Sequence, residues 1–372
     1  MNNVIRPLNI WLVGARDGYM PLAFPSTFDQ CICVVAIEAD NDCRLERIQL
    51  SDGRVPQVAT RRLHACVAGT TSQRLFEIRQ CPFASSMRQL DANFSEWSVF
   101  GNGICDYVLS HAHEPTHQSV LNTTTLDVLV TGEVKDQAPS VLVLDTQGAS
   151  DEILINGAEV VLSHVDALVL EVELIPFFGG TPSFARLLPH LWRKGFVFVE
   201  FLEEDETWAT PFRLPLGQRC RSLPGARDAV FLRLPDNLRQ DGDPCRLSNY
   251  AIACAMLGRI DFALEALRNA PEQKTPGWSD DCPLESFAAS LQAAVRQMPS
   301  VKPKDWKPPG KKDQVTPPSY LQELQTLSTV LTTPLEDTLT TFGFAHIAAD
   351  IKSRRLRQAR LCLAREHALK TA

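Results

Sequence analysis

The stretch Val141-Leu142-Val143-Leu144-Asp145-Thr146-Gln147-Gly148-Ala149 determines how this chain of 372 residues is interpreted. Its four consecutive branched apolar residues are typical of a central strand in a parallel sheet, because such a strand is covered on both faces and loses the alternation of polar and apolar residues. Asp145, Thr146 and Gln147 follow at once. Open α/β sheets bind ligands at the carboxyl ends of their strands. The stretch therefore predicts an α/β protein with a polar site at this strand end.

The residues that follow predict a second unit of the same kind. Ser150, Asp151 and Glu152 provide a capping and acidic first turn for a short helix over residues 153–162. Residues 166–173, Asp-Ala-Leu-Val-Leu-Glu-Val-Glu, then predict another apolar strand tipped with acids. A loop rich in proline and glycine leads from this strand to an amphipathic helix over residues 183–194.

The N-terminal residues predict a nucleotide site. The apolar run Asn9–Val13 leads into a turn with Gly14 and Gly18, where the backbone can approach a ligand because no Cβ intervenes. A second strand, Cys33–Ile37, ends in Glu38-Ala39-Asp40, and a carboxylate there can accept hydrogen bonds from ribose hydroxyls. A plain strand-turn-strand with a solvated acid fits the same residues.

Three sequence motifs together resemble a known family. The order L-D-T-Q-G-A (144–149), D-A-L-V-L-E-V-E (166–173) and I-P-F-F-G-G-T-P-S-F (175–184) is similar to the core signature of the FkbM-type S-adenosylmethionine-dependent methyltransferases. The match covers roughly fifty residues in one order, which makes it more specific than a lone glycine motif. The resemblance implies a Rossmann-like sheet of seven strands, S-adenosylmethionine as the cofactor, and methylation of a hydroxyl on a carbohydrate or related metabolite.

The resemblance also assigns roles to individual residues. It implies a catalytic base at Asp145, although a carboxylate there could instead cap the next helix or orient the cofactor. The residues expected to bind the cofactor are Gly14, Ala15, Gly18, Glu38, Asp40, Ala65 and Asp145. Those expected to bind the substrate are Ser85, Ser86, Gln147 and Glu171.

One position departs from the family pattern. FkbM-like enzymes usually have an acid two residues before the first glycine, and this chain has Leu12 there. The missing acid would help to hold the amino-acid end of the cofactor. Asp17 in the glycine turn is a candidate to replace part of its role.

The middle of the chain predicts a hairpin and a loop over the site. Residues 63–67 and 74–78 flank the polar turn 68–72 and are expected to pair, with the turn beside the adenine as in the resembled family. Ser85 and Ser86 are similar to a serine pair in the family's active-site loop, but small hydroxyl residues are common in any loop.

Three histidines raise the question of a metal site. His111 and His113 would share one face of a strand, and His117 follows nearby. A metal site needs a third protein ligand and supporting contacts, which the sequence does not offer. Surface or substrate-contacting imidazoles are therefore favoured, and no metal is expected.

Composition indicates an ordinary soluble protein. Hydrophobic residues make up 44% of the chain, charged residues 22%, and the net charge is −7, which argues against an extended nucleic-acid backbone as partner. The eleven cysteines form no C-x-x-C pair, so neither a zinc site nor a thiol redox motif is supported. No cleavable leader and no membrane-spanning run is visible, which predicts a reducing, cytoplasmic location.

The expected fold class is α/β, a Rossmann-like seven-stranded methyltransferase sheet with a small C-terminal all-α extension. The expected domains are a methyltransferase domain (1–238), an extension similar to one tetratricopeptide hairpin (239–299), a Pro/Lys linker (300–318) and C-terminal helices (319–372). Truncation near residue 300 is expected to leave cofactor binding unaltered. The basic last helix could contact a protein partner, but a solvated face is favoured.

A second class of function remains open. The chain could be a degenerate cofactor fold that serves as a scaffold without catalysis, and Leu12 and the unusual tail favour that reading. Glu38, Asp145 and Glu171 oppose it, because a scaffold does not need acids at the ends of three parallel strands.

Overall fold

A computed structural model describes residues 7–16, 18–43, 47–101, 104–202, 207–211, 223–241, 244–268, 283–298 and 332–371. The strands are β1 (Leu8–Val13), β2 (Tyr19–Met20), β3 (Ile32–Glu38), β4 (Gln49–Leu50), β5 (Ala59–His64), β6 (Cys66–Val67), β7 (Gln73–Arg79), β8 (Ser98–Gly101), β9 (Ile104–Val108), β10 (Pro115–Thr124), β11 (Val141–Leu144), β12 (Ala167–Glu173), β13 (Phe196–Phe201), β14 (Thr207–Thr210), β15 (Leu223–Pro224) and β16 (Ala226–Arg233). The helices are α1 (Leu109–Ala112), α2 (Leu126–Thr131), α3 (Ser150–Gly157), α4 (Glu159–His164), α5 (Ser183–Arg193), α6 (Pro235–Asp241), α7 (Pro244–Met256), α8 (Ile260–Arg268), α9 (Pro283–Gln297), α10 (Pro334–Thr341) and α11 (Ala345–Thr371).

Seven strands form the central sheet in the order β13-β16-β12-β11-β1-β3-β5. The pairs from β12 to β5 are parallel, whereas β16 runs antiparallel to both of its neighbours. The series β5-β3-β1-β11-β12 is the 3-2-1-4-5 strand order of a doubly wound sheet, in which successive strands are added on one side of β1 and then, from β11, on its other side. The expected seven-stranded α/β sheet is confirmed, and it is compatible with a Rossmann-like fold.

Both faces of the sheet are covered by helices, which explains the continuous apolar strands. Alternate residues of β1 point to opposite sides: Ile10 and Leu12 to one cluster, Trp11 and Val13 to the other. Helices α2 to α5 supply the cluster around Trp11. Helices α7 to α11 supply the cluster around Ile10. Each face therefore buries its own core, as expected for parallel strands.

The C-terminal helices belong to the core of the sheet. Leu335 and Leu339 of α10 and Phe344 and Ile347 beside it are buried in the same cluster as Ile10 of β1. The phenyl ring of Phe344 lies 5.9 Å from that of Phe28. Truncation near residue 300 would therefore remove buried side chains from this core, and the expectation that it leaves cofactor binding unaltered stays a prediction. The proposed domain division itself stays a prediction.

Two local expectations are wrong. Residues 63–67 and 74–78 do not form a hairpin: β5 joins the edge of the central sheet beside β3, and β7 pairs antiparallel with β10. His111 lies in the short helix α1 and not on a strand. In both cases partners distant in sequence override the local pattern.

Within the segment expected to resemble a tetratricopeptide hairpin, α7 and α8 are separated by Gly258 at φ 68°. The expected Pro/Lys linker (300–318) lies outside the described part of the chain, as does Asp17. A capping box opens α10, where Thr333 and Glu336 bond reciprocally. No helix among the described residues is long and apolar enough to cross a bilayer.

Candidate functional site

The carboxyl ends of β1 and β11 lie side by side at the point where the order of strand addition reverses. Gly14 follows β1 with φ 82°, and a Cβ built there would lie 1.6 Å from the carbonyl oxygen of Asp145. The amide N–H of Asp145 in turn donates to the carbonyl of Val13 at 2.9 Å. Only glycine permits this contact, so the first glycine of the turn holds Asp145 against the end of β1.

A first cleft opens above this contact. Its space is about 770 Å³ with the open mouth included, within the range of small-molecule pockets. Its apolar wall includes Ile37, Ala65, Val67 and Phe76, and its polar wall includes Glu38 and Asp145. An apolar slot between carboxylates suits a purine nucleoside that carries positive charge at its other end.

Glu38 lies at the end of β3 in this cleft. One of its oxygens, Oε1, accepts a hydrogen bond from the backbone N–H of Asp40 at 2.9 Å. Burial raises the pKa of Glu38, whereas that hydrogen bond and the charge of Arg16 oppose the shift. The carboxyl of Asp40 forms an ion pair with Arg16 and is not on the cleft wall. Of the two acids at the carboxyl end of β3, only Glu38 lines the cleft.

Of the other residues expected to bind the cofactor, some line the cleft and some do not. Gly14, Ala65 and Asp145 line the cleft. Ala15 is buried behind it, and the N–H of Gly18 bonds back to the carbonyl of Ala15 at 3.0 Å. Gly18 thus shapes the turn and does not face the cleft.

The serine pair fastens a loop over the first cleft. Ser85 and Ser86 both line this cleft and not the neighbouring cavity. The hydroxyl of Ser86 donates to the backbone carbonyl of Gln147 at 2.8 Å and accepts from the N–H of Arg88 at 2.9 Å. Its single proton is therefore engaged. Ser86 holds the loop against the acidic turn, and the substrate contact expected of it stays a prediction.

The acidic turn after β11 joins two carboxyl groups. The side-chain amide of Gln147 donates to Asp145 at 2.8 Å and reaches the two oxygens of Glu171 at 3.3 and 3.2 Å. Gln147 adopts φ 49°, an unusual conformation for a residue other than glycine. Burial, followed by the charge of Asp145 and its hydrogen bond, raises the pKa of Glu171 well above its usual value. The proximity of the two carboxyl groups therefore favours the protonated form of Glu171.

A second cavity lies on the other side of Asp145 and Gln147, which line both spaces together with Phe83. It is about 1400 Å³, open mouth included, and its walls carry the carboxyls of Glu171, Glu173 and Asp228 and the rings of Phe177 and Phe178. Glu171 and Asp228 face each other across the β12–β16 pair. The two cavities are neighbours that meet at one carboxylate.

Phe178 is held in place by a glycine. A Cβ at Gly148, which has φ 88°, would lie 2.2 Å from the Phe178 ring. The turn that carries Asp145 and Gln147 therefore packs directly on the wall of the second cavity.

His113 lines the second cavity, but not as a metal ligand or base. Its Nδ1 contacts the guanidinium of the buried Arg79, which can only donate, so the ring hydrogen resides on Nε2. Burial and the charge of Arg79 lower the pKa of His113 to about 4. The imidazole is neutral and can donate to an oxygen of a ligand. No cluster of three or more metal-ligating side chains occurs among the described residues.

Three site residues were not anticipated from the sequence: Phe83, Glu173 and Asp228. Glu173 was visible as the last acid of a predicted strand, two residues after Glu171 and so on the same side. Asp228 had no local signal, because its place depends on the antiparallel insertion of β16.

Leu12 does not face the first cleft. It is 2% exposed and packs in the cluster beneath the C-terminal helices. An acid at this position would lie in an apolar environment, so the substitution is consistent with the way that this face is packed.

No protein-family model matches the chain, and no curated protein or solved structure is significantly similar to it. The function of the chain is therefore inferred from its motifs and from the geometry of the two cavities.

Proposed function

We propose that the chain is an S-adenosylmethionine-dependent methyltransferase of the FkbM type, which methylates a hydroxyl group on a carbohydrate or related metabolite. The observation that carries this proposal is the meeting of the two cavities at Asp145. A transferase must hold a donor and an acceptor side by side with the reacting atoms aligned. A nucleoside-shaped cleft and a polar cavity that share one wall meet that requirement.

The residues of the first cleft fit the cofactor. Glu38 would accept hydrogen bonds from the ribose hydroxyls, and Val67 and Phe76 would contact the adenine. With Leu12 in place of the family's acid, Asp145, the second carboxylate on the wall of this cleft, would hold the amino-acid end. The cofactor supplies a methyl group on a positively charged sulfonium, and the acids of the cleft complement that charge.

The residues between the two cavities would accept the proton that the acceptor's hydroxyl group loses. A hydroxyl attacks more readily when a base takes its proton, and Asp145 is exposed to both cavities. Gln147 donates to Asp145 and Glu171 at once, which fixes the orientation of both carboxyls. Burial and the neighbouring carboxyl groups favour the protonated form of Glu171, whereas Asp145 is exposed and lines both cavities, so Asp145 is our candidate for the base.

The experiment that tests this function is calorimetric titration of the full chain with S-adenosylmethionine and S-adenosylhomocysteine, accompanied by thermal melts. Both compounds are expected to bind and to raise the melting temperature, because they share the adenosine and amino-acid groups that the first cleft would hold. Adenosine monophosphate is the control, since it has the nucleoside without the amino-acid end, and should bind more weakly. If neither sulfur compound binds, the proposal is contradicted and a scaffold without catalysis becomes the better account.

A further inference from the structure

One carboxyl group of the second cavity is buried, and one of its oxygens lacks a hydrogen-bond partner within the described part of the chain. Glu173 ends β12, is 6% exposed and lines the cavity. Its backbone N–H donates to the hydroxyl of Ser183 at 2.7 Å. Its side-chain atom Oε1 has no hydrogen-bond partner among the described residues. A buried oxygen without a partner costs free energy, on the order of 1 to 3 kcal/mol in general, so its retention points to a ligand.

The surroundings of this carboxyl are strongly acidic. Asp145, Glu171 and Asp228 line the same cavity. The charges of Asp145, Asp228 and Glu173 all raise the pKa of Glu171, so these groups are close enough to repel one another. The one guanidinium on the described wall, that of Arg227, lies over the Trp208 ring at 4.9 Å. Added positive charge would relieve the repulsion.

Aromatic rings complete the wall. Tyr107, Phe177 and Phe178 line the cavity beside Glu173, and burial raises the pKa of Tyr107 to about 12, so its phenol stays neutral. Aromatic faces attract ammonium groups, by roughly 0.5 to 2 kcal/mol depending on solvation. Carboxylates and aromatic faces around one space are the combination that binds an organic cation.

We propose that the second cavity recognises an acceptor that carries a protonated amine, bound at Glu173, in addition to the hydroxyl at Asp145. This inference rests on the proposed function and narrows its substrate class to amino alcohols, amino sugars among them. Glu173 lies two residues beyond Glu171 on the same side of β12, a separation of roughly 6 to 7 Å. The amine and the reacting hydroxyl would accordingly be several ångströms apart on one molecule.

Protonation of Glu173 links binding to pH. Burial, with a further contribution from Asp151, raises its pKa to about 8, whereas Arg88 and the backbone N–H of Phe178 lower it. Asp151 itself is paired with Arg186 at 2.6 Å. An ammonium ion favours the ionised carboxylate, so binding below pH 8 should release a proton, and affinity should rise from pH 6 to pH 8.

A matched pair of probes tests the inference: 4-amino-1-butanol and butane-1,4-diol, which differ only by replacement of the amine with a hydroxyl. The full chain is titrated with each at pH 7.5, both alone and saturated with S-adenosylhomocysteine, in two buffers of different ionisation enthalpy. We expect the amino alcohol to bind at least roughly tenfold more tightly and to release a proton.

Two variants locate the effect. Glu173→Gln keeps the shape of the protonated side chain and should reduce the preference for the amine to about twofold or less. Glu133→Gln alters an exposed acid outside the cavity and should leave the preference unchanged. Equal binding of the two probes, no binding of either, or an unaltered preference in Glu173→Gln would overturn the inference. Loss of S-adenosylhomocysteine binding is a separate result, which would count against the proposed function instead.

Discussion

The sheet face covered by the C-terminal helices and the carboxyl edge of the sheet differ in the side chains that line them. The face beneath the C-terminal helices is mainly apolar, with Ile10, Phe287 and Phe344 almost wholly buried. The edge carries carboxyl groups, and their pKa values are shifted by burial and by one another. Packing on the face therefore stabilises the fold. At the edge, carboxyl groups repel one another, and a positively charged ligand would relieve that repulsion. Substitutions in the two regions should therefore fail in different ways.

The largest effect is expected from removal of residues 332–372. This truncation deletes Leu335, Leu339, Phe344 and Ile347 from the core, and the loss of a single large core side chain typically costs about 2 to 5 kcal/mol. The sum is comparable with the stability of a whole domain. The shortened chain should lose its cooperative melting transition in circular dichroism.

A point variant also tests whether the last helices stabilise the sheet, with a smaller expected effect. Phe344→Ala should lower the melting temperature by several degrees, whereas Leu361→Ala, at a side chain that is 60% exposed, should not. A truncated chain that melts like the intact one would show that the last helices do not support the sheet.

At the edge, Asp145→Asn should affect chemistry and not folding. The amide keeps the shape and hydrogen-bonding reach of the side chain but cannot accept the proton, so turnover should fall by roughly 10² to 10⁴ with little change in cofactor affinity. If Asp145 only orients the amino group of the cofactor, affinity should fall and saturated turnover should persist. Measurement of both quantities on one variant separates the roles, and a variant normal in both removes Asp145 from the site.

Glu173→Gln should change how stability depends on pH. The folded-state pKa of Glu173 is raised to about 8, so the folded chain binds a proton more tightly than the unfolded chain does. Stability is therefore fully present below the unfolded pKa and is lost as pH rises towards 8. Removal of the charge should make the variant more stable than the natural chain at pH 8, by up to roughly 4 kcal/mol.

The measurement is a series of melts between pH 5 and pH 8.5. The two proteins should melt alike at pH 5 and diverge as the pH rises. The same series on Glu133→Gln should show no divergence, since that acid is exposed. Parallel curves for Glu173→Gln would mean that the carboxyl is not destabilised by its burial.

The smallest effect is expected at Glu38. Glu38→Ala removes charge-assisted hydrogen bonds to the ribose and should weaken cofactor binding by more than roughly tenfold, with the fold intact. Calorimetry measures the affinity, and Glu133→Ala is the control. Unchanged affinity would refute the assignment of the first cleft as the nucleotide site.

Much of the sheet could be predicted because its strands are recognisable without their partners. A continuous apolar run such as Val141–Leu144 indicates a strand covered on both faces, and the acid that follows marks its solvent-facing end. The failed hairpin shows the limit of this reasoning. Residues 74–78 have strand propensity, but pairing depends on the competing partner β10, which lies about forty residues further along the chain.

The sequence by itself determined that this is a seven-stranded α/β protein with Glu38, Asp145 and Glu171 at the ends of parallel strands, since register alone brings parallel strand ends to one edge. Tertiary structure decided what those acids do. Asp40 pairs with Arg16 instead of facing the cleft, Asp228 arrives through an antiparallel strand, and Glu173 becomes buried. Charge, exposure and pKa depend on neighbours contributed by distant segments, and these are fixed only when the chain packs.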